Sequence, residues 1–255
     1  MKNKLVLALL ISITIGACKK NKVTAIDNTI STGAQVKFGY LVARAINPPV
    51  QIKVDGERVS YNLTYSVSYP GGGANIGGSN TNDYLDIPAG AKNIVVSFVK
   101  IGTNVDSLVL YSGTINLAAA QRYSIMFTDS SSVKVATLSD AFDASIPPNN
   151  TTSVCRFYNG LIGVPAVDVY FGTSTTPVFT NVAYNTATSM YAPIALGSTT
   201  IALRPAGALP TSTAIISYAA AITGGRVFTA IGRGINGIAG ASDIRRPLVS
   251  LITNR

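Results

Sequence analysis

Histidine is missing from all 255 residues. The chain can therefore build no Ser–His or Cys–His nucleophile pair, no His-bearing zinc site and no imidazole base working near neutrality. Tryptophan is missing as well, which removes the largest stacking surface for sugars, although twelve Tyr remain. Cysteine occurs twice, as Cys18 and Cys155. Charged residues make up only 12% of the chain, about half the ordinary share. No Lys/Arg-rich run with interleaved aromatics occurs, so nucleic acid is not an expected partner.

The polarity that remains comes from Ser, Thr, Asn and Gly, and Val, Ile and Tyr are abundant. That mixture favours short strands and tight turns over helices. Val36, Phe38 and Tyr40 alternate with small or polar residues, and so do Val50, Ile52 and Val54 up to the turn signal Asp55-Gly56. Ala118–Ala120 suits either a short helix or a turn. Residues 59–69 alternate most strictly: Val59, Tyr61, Leu63, Tyr65, Val67 and Tyr69 against Ser60, Asn62, Thr64, Ser66 and Ser68. Period two places the large side chains on one face, in one long strand or in two pieces joined near Asn62. Such a face is either a Tyr-lined binding surface, with Tyr61, Tyr65 and Tyr69 as ligand contacts, or a buried sheet side. A Gly/Ser/Asn loop follows to Asn82 and lacks the Lys-Ser/Thr of a phosphate-cradling loop.

The N-terminus has the three parts of an export signal. Lys2 and Lys4 precede an uncharged run, Leu5 to Ala17, too short to span a bilayer as a helix. It ends Ile15-Gly16-Ala17-Cys18, which resembles the bacterial lipobox, where cleavage precedes an acylated Cys. The expectation is a signal peptide over 1–17 and a lipid-anchored tether over 18–34, with Cys18 carrying the acyl chains. Cleavage would leave a net charge of about +7. Lys19 in place of Asp resembles outer-membrane sorting, with the periplasmic and the cell-surface face both open. With Cys18 acylated, Cys155 has no partner for an internal disulfide and is expected to be a buried core thiol.

Residues 141–152, containing Pro147-Pro148, read as a linker between a first domain over 35–140 and a second over 153–255. The two halves repeat each other. Val36-Lys37-Phe38 matches Cys155-Arg156-Phe157. Tyr84, Ile87, Gly90, Ile94 and Tyr111 match Tyr191, Ile194, Gly197, Ile201 and Tyr218. Tyr123-Ser124-Ile125 matches Phe228-Thr229-Ala230, and Val135–Leu138 matches Val249–Ile252. The stretch 59–82 is an insertion in the first copy.

In the second copy, Val164-Pro165-Ala166-Val167-Asp168-Val169-Tyr170 resembles the signature of the DUF4397 family of bacterial secreted and lipid-anchored proteins. Phe179–Tyr184, Tyr191–Ile194 and Ile201-Ala202-Leu203-Arg204-Pro205-Ala206-Gly207 are similar to the strands that follow it. The start of the chain and its terminal Ile-Thr-Asn-Arg look like those of Bacteroidetes members. The resemblance implies immunoglobulin-like sandwiches and carries no catalytic residues. Phe157-Tyr158-Asn159-Gly160 stands where members often have Val-His-Ala-Ser-Pro. Many short strands with regular turn signals point independently to the same all-β class, two tandem immunoglobulin-like β-sandwiches.

The expected function is a non-catalytic, lipid-anchored envelope protein that binds a glycan or a protein partner, or serves as a spacer or accessory subunit of an outer-membrane assembly. No cofactor or metal is expected. A hydrolase is the remote alternative, with Asp83 and Asp86, or Asp140 and Asp143, as its carboxylates. Those aspartates lie beside turns, where Asp commonly forms the turn itself, and Asp140/Asp143 lack the ligand series of a calcium loop.

Overall fold

The computed structural model describes residues 32–73, 83–100, 102–140 and 151–255. Cys18 with its lipobox, most of the tether, residues 74–82 of the insertion, residues 141–150 of the linker and Asp143 lie outside the described residues. The first repeat holds β1 (Ala34–Tyr40), β2 (Val50–Val54), β3 (Glu57–Arg58), β4 (Val67–Tyr69), β5 (Gly72–Gly73), β6 (Leu85–Ile87), β7 (Gly90–Val99), β8 (Asp106–Leu117), β9 (Arg122–Thr128) and β10 (Lys134–Ser139). The second holds β11 (Ser153–Ile162), β12 (Ala166–Phe171), β13 (Phe179–Ala183), β14 (Thr186–Ala187), β15 (Ala192–Ile194), β16 (Gly197–Pro205), β17 (Ile216–Ile222), β18 (Val227–Ile235) and β19 (Leu248–Thr253).

The chain is all-β and forms two tandem immunoglobulin-like sandwiches. In the first, the sheet β10-β9-β1-β4-β5, with β6 also on β1, packs on β3-β2-β7-β8. In the second, β14-β11-β18-β19, with β15 on β11, packs on β13-β12-β16-β17. Apart from β5, which has no counterpart in the second repeat, the strand roles correspond, down to the parallel pairs β1/β9 and β11/β18. Phe38, Ile52, Ile94 and Phe127 lie in the first core, and Phe157, Val169, Ile201 and Ala230 in the second. Asp55 and Gly56, both at positive φ (50° and 84°), close the two-residue hairpin that pairs Val54 with Glu57. Ala118–Ala120 is a turn, with Ala120 at φ 57°. Cys155 is fully buried in β11, and burial pushes its thiol up to about 12.

Residues 59–69 do not form a single sheet face. Leu63 bridges Val50 in one sheet, whereas Val67–Tyr69 pairs with β1 in the other. The chain crosses between the sheets, and Ser66, at φ 62°, resets the alternation. The three tyrosines are thereby separated: Tyr61 is half exposed, Tyr65 is buried against the second sandwich, and Tyr69 joins the first core.

A second departure from simple alternation explains how the sandwiches are joined. Every residue of β1 is buried, and β11, β18 and β19 are buried on both faces over nearly their whole length. One face of each strand meets its own core; the other meets the opposing sandwich. Leu41, Met126 and Leu138 pack there against Tyr158, Ile231 and Ile252. The result is four sheets in layers, with the inner seam rich in polar side chains: Lys37, Ser124, Asp140, Arg156, Thr229 and Asn254 are all buried. Arg156 and Asp140 form an ion pair across the seam. Breaking a buried pair from one side strands the other charge. Arg156→Met is expected to cost ~3–5 kcal/mol in urea unfolding, and Arg156→Met combined with Asp140→Leu to recover most of the loss.

Candidate functional site

The seam is assembled twice from matched residues of the two repeats. Arg156 stacks on the ring of Tyr191 at 5.3 Å, and its repeat counterpart Lys37 lies over Tyr84 at 4.7 Å. Each cation donates to a backbone carbonyl of the opposite sandwich: Arg156 Nη1 to Ser139 O at 2.6 Å, and Lys37 Nζ to Thr253 O at 2.7 Å. Ser124 Oγ donates to Asp140 at 2.7 Å, as Thr229 Oγ1 does to Asn254 at 2.7 Å. The seam is thus pseudo-twofold, broken at one point: the first copy supplies the carboxylate of Asp140 where the second has the amide of Asn254. Asp140 also accepts from Tyr84 Oη at 2.9 Å and pairs with Arg156.

Electrostatics follow that asymmetry. Burial opposes the charge of Arg156, but Asp140, with Tyr191 and Tyr84, outweighs it and holds the guanidinium above its usual range. Burial, reinforced by Asp140, pushes the Tyr84 phenol well up. In the second copy the amide of Asn254 stands in the place that Asp140 takes in the first. Burial lowers the Lys37 ammonium from 10.5 to about 8, against the raising influence of Asp140 and Asp83.

A cleft of about 610 Å³ opens at one side of the seam. Thr137 and Ser139 of β10 form one wall; Thr186, Thr188 and Tyr191 of the second sandwich form the other, with Arg156 at the base. Tyr191 Oη is buried and has no hydrogen-bond partner among the described residues. Burial raises this phenol, with Arg156 acting against the rise. The pseudo-symmetric side is built differently. There Tyr65 lies under the guanidinium of Arg233 at 5.4 Å, and Arg233 Nε donates to Ser250 of β19 at 2.7 Å. The edge strand β19 is buried while its counterpart β10 is largely exposed. The first repeat's longer 59–73 segment therefore contributes to closing the side that the second repeat's short β14 leaves open.

Of the three candidate tyrosines, Tyr61 faces solvent, with its ring edge-on to Tyr69 at 5.0 Å. Tyr65 and Tyr69 are held in packing, and burial raises both phenols. Asp140 is sealed inside the seam, and Asp86 stands in β6 opposite Gln35. Arg156, Tyr191 and Thr137 were not singled out from sequence as site residues. Their signal was the matched charge in Val-Lys-Phe and Cys-Arg-Phe, a cation on the outward side of an apolar strand in both copies. A second cavity, of about 510 Å³, lies between Pro48, Pro49, Arg58, Val99 and Asn104 at the loop end of the first sandwich.

The Pro-Ala-Val-Asp-Val-Tyr segment has a structural task. Asp168 Oδ1 accepts from the Asn181 amide at 2.7 Å, where β12 and β13 slip register, and Oδ2 accepts from the Gly207 amide at 2.9 Å. Arg204 stacks on Tyr170 at 4.7 Å. One carboxylate thus ties β12 to a bend on one side and to the Arg-Pro-Ala-Gly turn on the other. No family model matches this chain, and a search of curated proteins finds no match.

Two outcomes are expected. Lys37 sheds its proton near pH 8 in the folded chain and near 10.5 in the unfolded one. The unfolded state binds more protons between those values, so Lys37 makes stability rise with pH across that window. Lys37→Met removes the rise: its unfolding free energy relative to wild type should fall by about 3 kcal/mol from below pH 8 to above pH 10.5. Asp168→Ala orphans two backbone amides and should cost ~1–3 kcal/mol in the same unfolding measurement.

Proposed function

We propose that this chain is a non-catalytic, lipid-anchored protein of the bacterial cell envelope. In this reading Cys18 carries the acyl chains, and the inter-sandwich cleft binds a glycan or an extended segment of a partner protein. The observation that carries the binding half is the cleft itself. It lies between two sandwiches clamped by a buried ion pair, so its walls are held at a set spacing, and pre-set walls lose little entropy on binding. Its lining offers part of the Tyr191 ring and the hydroxyls of Thr137, Thr186 and Thr188. Such a set suits the alternating apolar faces and hydroxyls of a sugar. The anchoring half rests on the Lys2/Lys4, Leu5–Ala17 and Cys18 pattern. The resemblance to DUF4397 and to outer-membrane lipoproteins supports this reading.

A second reading, a rigid spacer in an outer-membrane assembly, is favoured by the burial of β1, β11, β18 and β19 on both faces, which suits a stiff rod. A glycan array and pull-down from envelope extracts separate the two. Residues 24–255 should capture a ligand, and Thr137→Lys or Thr186→Lys, both at exposed lining positions, should abolish capture while leaving the melting temperature nearly unchanged. Capture that survives both substitutions rejects the cleft, and no capture at all leaves the spacer reading. Labelled palmitate should enter the wild-type chain and not Cys18→Ala.

A further inference from the structure

The two sandwiches point the same way. Lys37 of β1 meets Thr253, the partner of Phe228, and Tyr65, beside the end of β1, meets Arg233 further along β18. Ser124 and Thr128 of β9 likewise meet the seam around Arg156 and then Gly160 of β11. The loops that follow β1 and β7 in the first sandwich, and β16 and β18 in the second, therefore emerge at one common end. Ala34 opens β1 at the opposite end.

Four large apolar side chains stand exposed on the loops of that end. Ile46 is 80% exposed, Leu209 72%, and Val105 and Ile244 57% each. Each sits on a different loop. Cations stand beside them: Arg44, Lys100 and Arg246 have no carboxylate within ion-pair distance among the described residues, and Arg58 donates only to the neutral oxygens of Ser60, Asn62 and Asn104. The nearby carboxylates are already engaged, Asp106 by Lys53, Asp129 by Lys134 and Asp243 by Arg245. Single apolar tips on separate loops, ringed by uncompensated positive charge, fit a broad anionic surface with an apolar layer beneath it.

We propose that this loop rim is a second, independent binding surface and that its partner is an anionic lipid bilayer. Ile46, Val105, Leu209 and Ile244 enter the interfacial layer, and Arg44, Arg58, Lys100 and Arg246 meet the lipid phosphates. The rim lies away from both the cleft and Ala34, so the proposal holds whether or not Cys18 is acylated.

Co-sedimentation of residues 24–255, which keep every described strand and omit the Lys-rich start of the tether, tests it. Vesicles of equimolar phosphatidylcholine and phosphatidylglycerol should bind the chain, and added salt should weaken binding. The variant Ile46→Ser/Val105→Ser/Leu209→Ser/Ile244→Ser should partition at least about tenfold more weakly. Arg44→Gln/Lys100→Gln/Arg246→Gln should lose the preference over pure phosphatidylcholine. Met190→Ser/Leu196→Ser, exposed apolar residues away from this end, should bind as wild type does. No binding to the anionic vesicles overturns the proposal. So does equal binding to neutral ones, or binding untouched by the rim variants. All these residues are surface-exposed or half-buried, so an unchanged circular-dichroism melt confirms that each variant is folded.

Discussion

The buried ion pair between Arg156 and Asp140 is the contact on which the rest of this structure depends. Two immunoglobulin-like sandwiches in one chain ordinarily meet through a small, wet interface and move against each other. Here the facing sheets bury a lysine, an arginine, an aspartate and an asparagine at their centre. Those groups are tolerated only because each finds its bond across the seam or beside it. Separating the sandwiches would break these bonds together. Replacing a single member would leave a charge or amide stranded. Specific pairing of this kind fixes one alignment of the two sheets, which a purely apolar seam would leave freer to slide.

The same seam shows how a repeat becomes asymmetric. Matched cations, tyrosines and hydroxyls come from both copies, and the difference between Asp140 and Asn254 places a buried carboxylate on the side of Arg156. Around it, the second copy keeps a short β14 and leaves a cleft, whereas the first copy places Tyr65 against Arg233 on the other side. An interface built from two matched halves thus opens into a recess on the side of Arg156. The proposed binding function uses that asymmetry, and the proposed membrane-facing loop rim would be a second surface at the common end of the two sandwiches.

Much of this architecture was legible in the residues. The Asp55-Gly56 hairpin, the alternation of β2 and β12 and the equivalence of Gly90 with Gly197 follow from local turn chemistry and period-two patterning. The 59–69 segment was misleading because perfect alternation describes one face only while a strand stays in one sheet, and this segment changes sheets at Ser66. The seam was hidden for a different reason. Lys37, Ser124 and Arg156 occupy the outward positions of their strands, where polarity ordinarily signals solvent. Nothing local distinguishes an outward face that meets water from one that meets another sheet. The one clue was longer in range: a cation at the same place in both repeats, with a tyrosine matched to it 107 residues away from its counterpart, Tyr84 to Tyr191.

Native-state hydrogen exchange under increasing denaturant tests most directly whether the two sandwiches form a single mechanical unit. Amides of β1 and β9 and those of β11 and β18 should merge into one isotherm, with a common opening free energy and a common denaturant slope. Two separate isotherms, one for each sandwich and each with the smaller slope of a half-sized unit, would contradict the account.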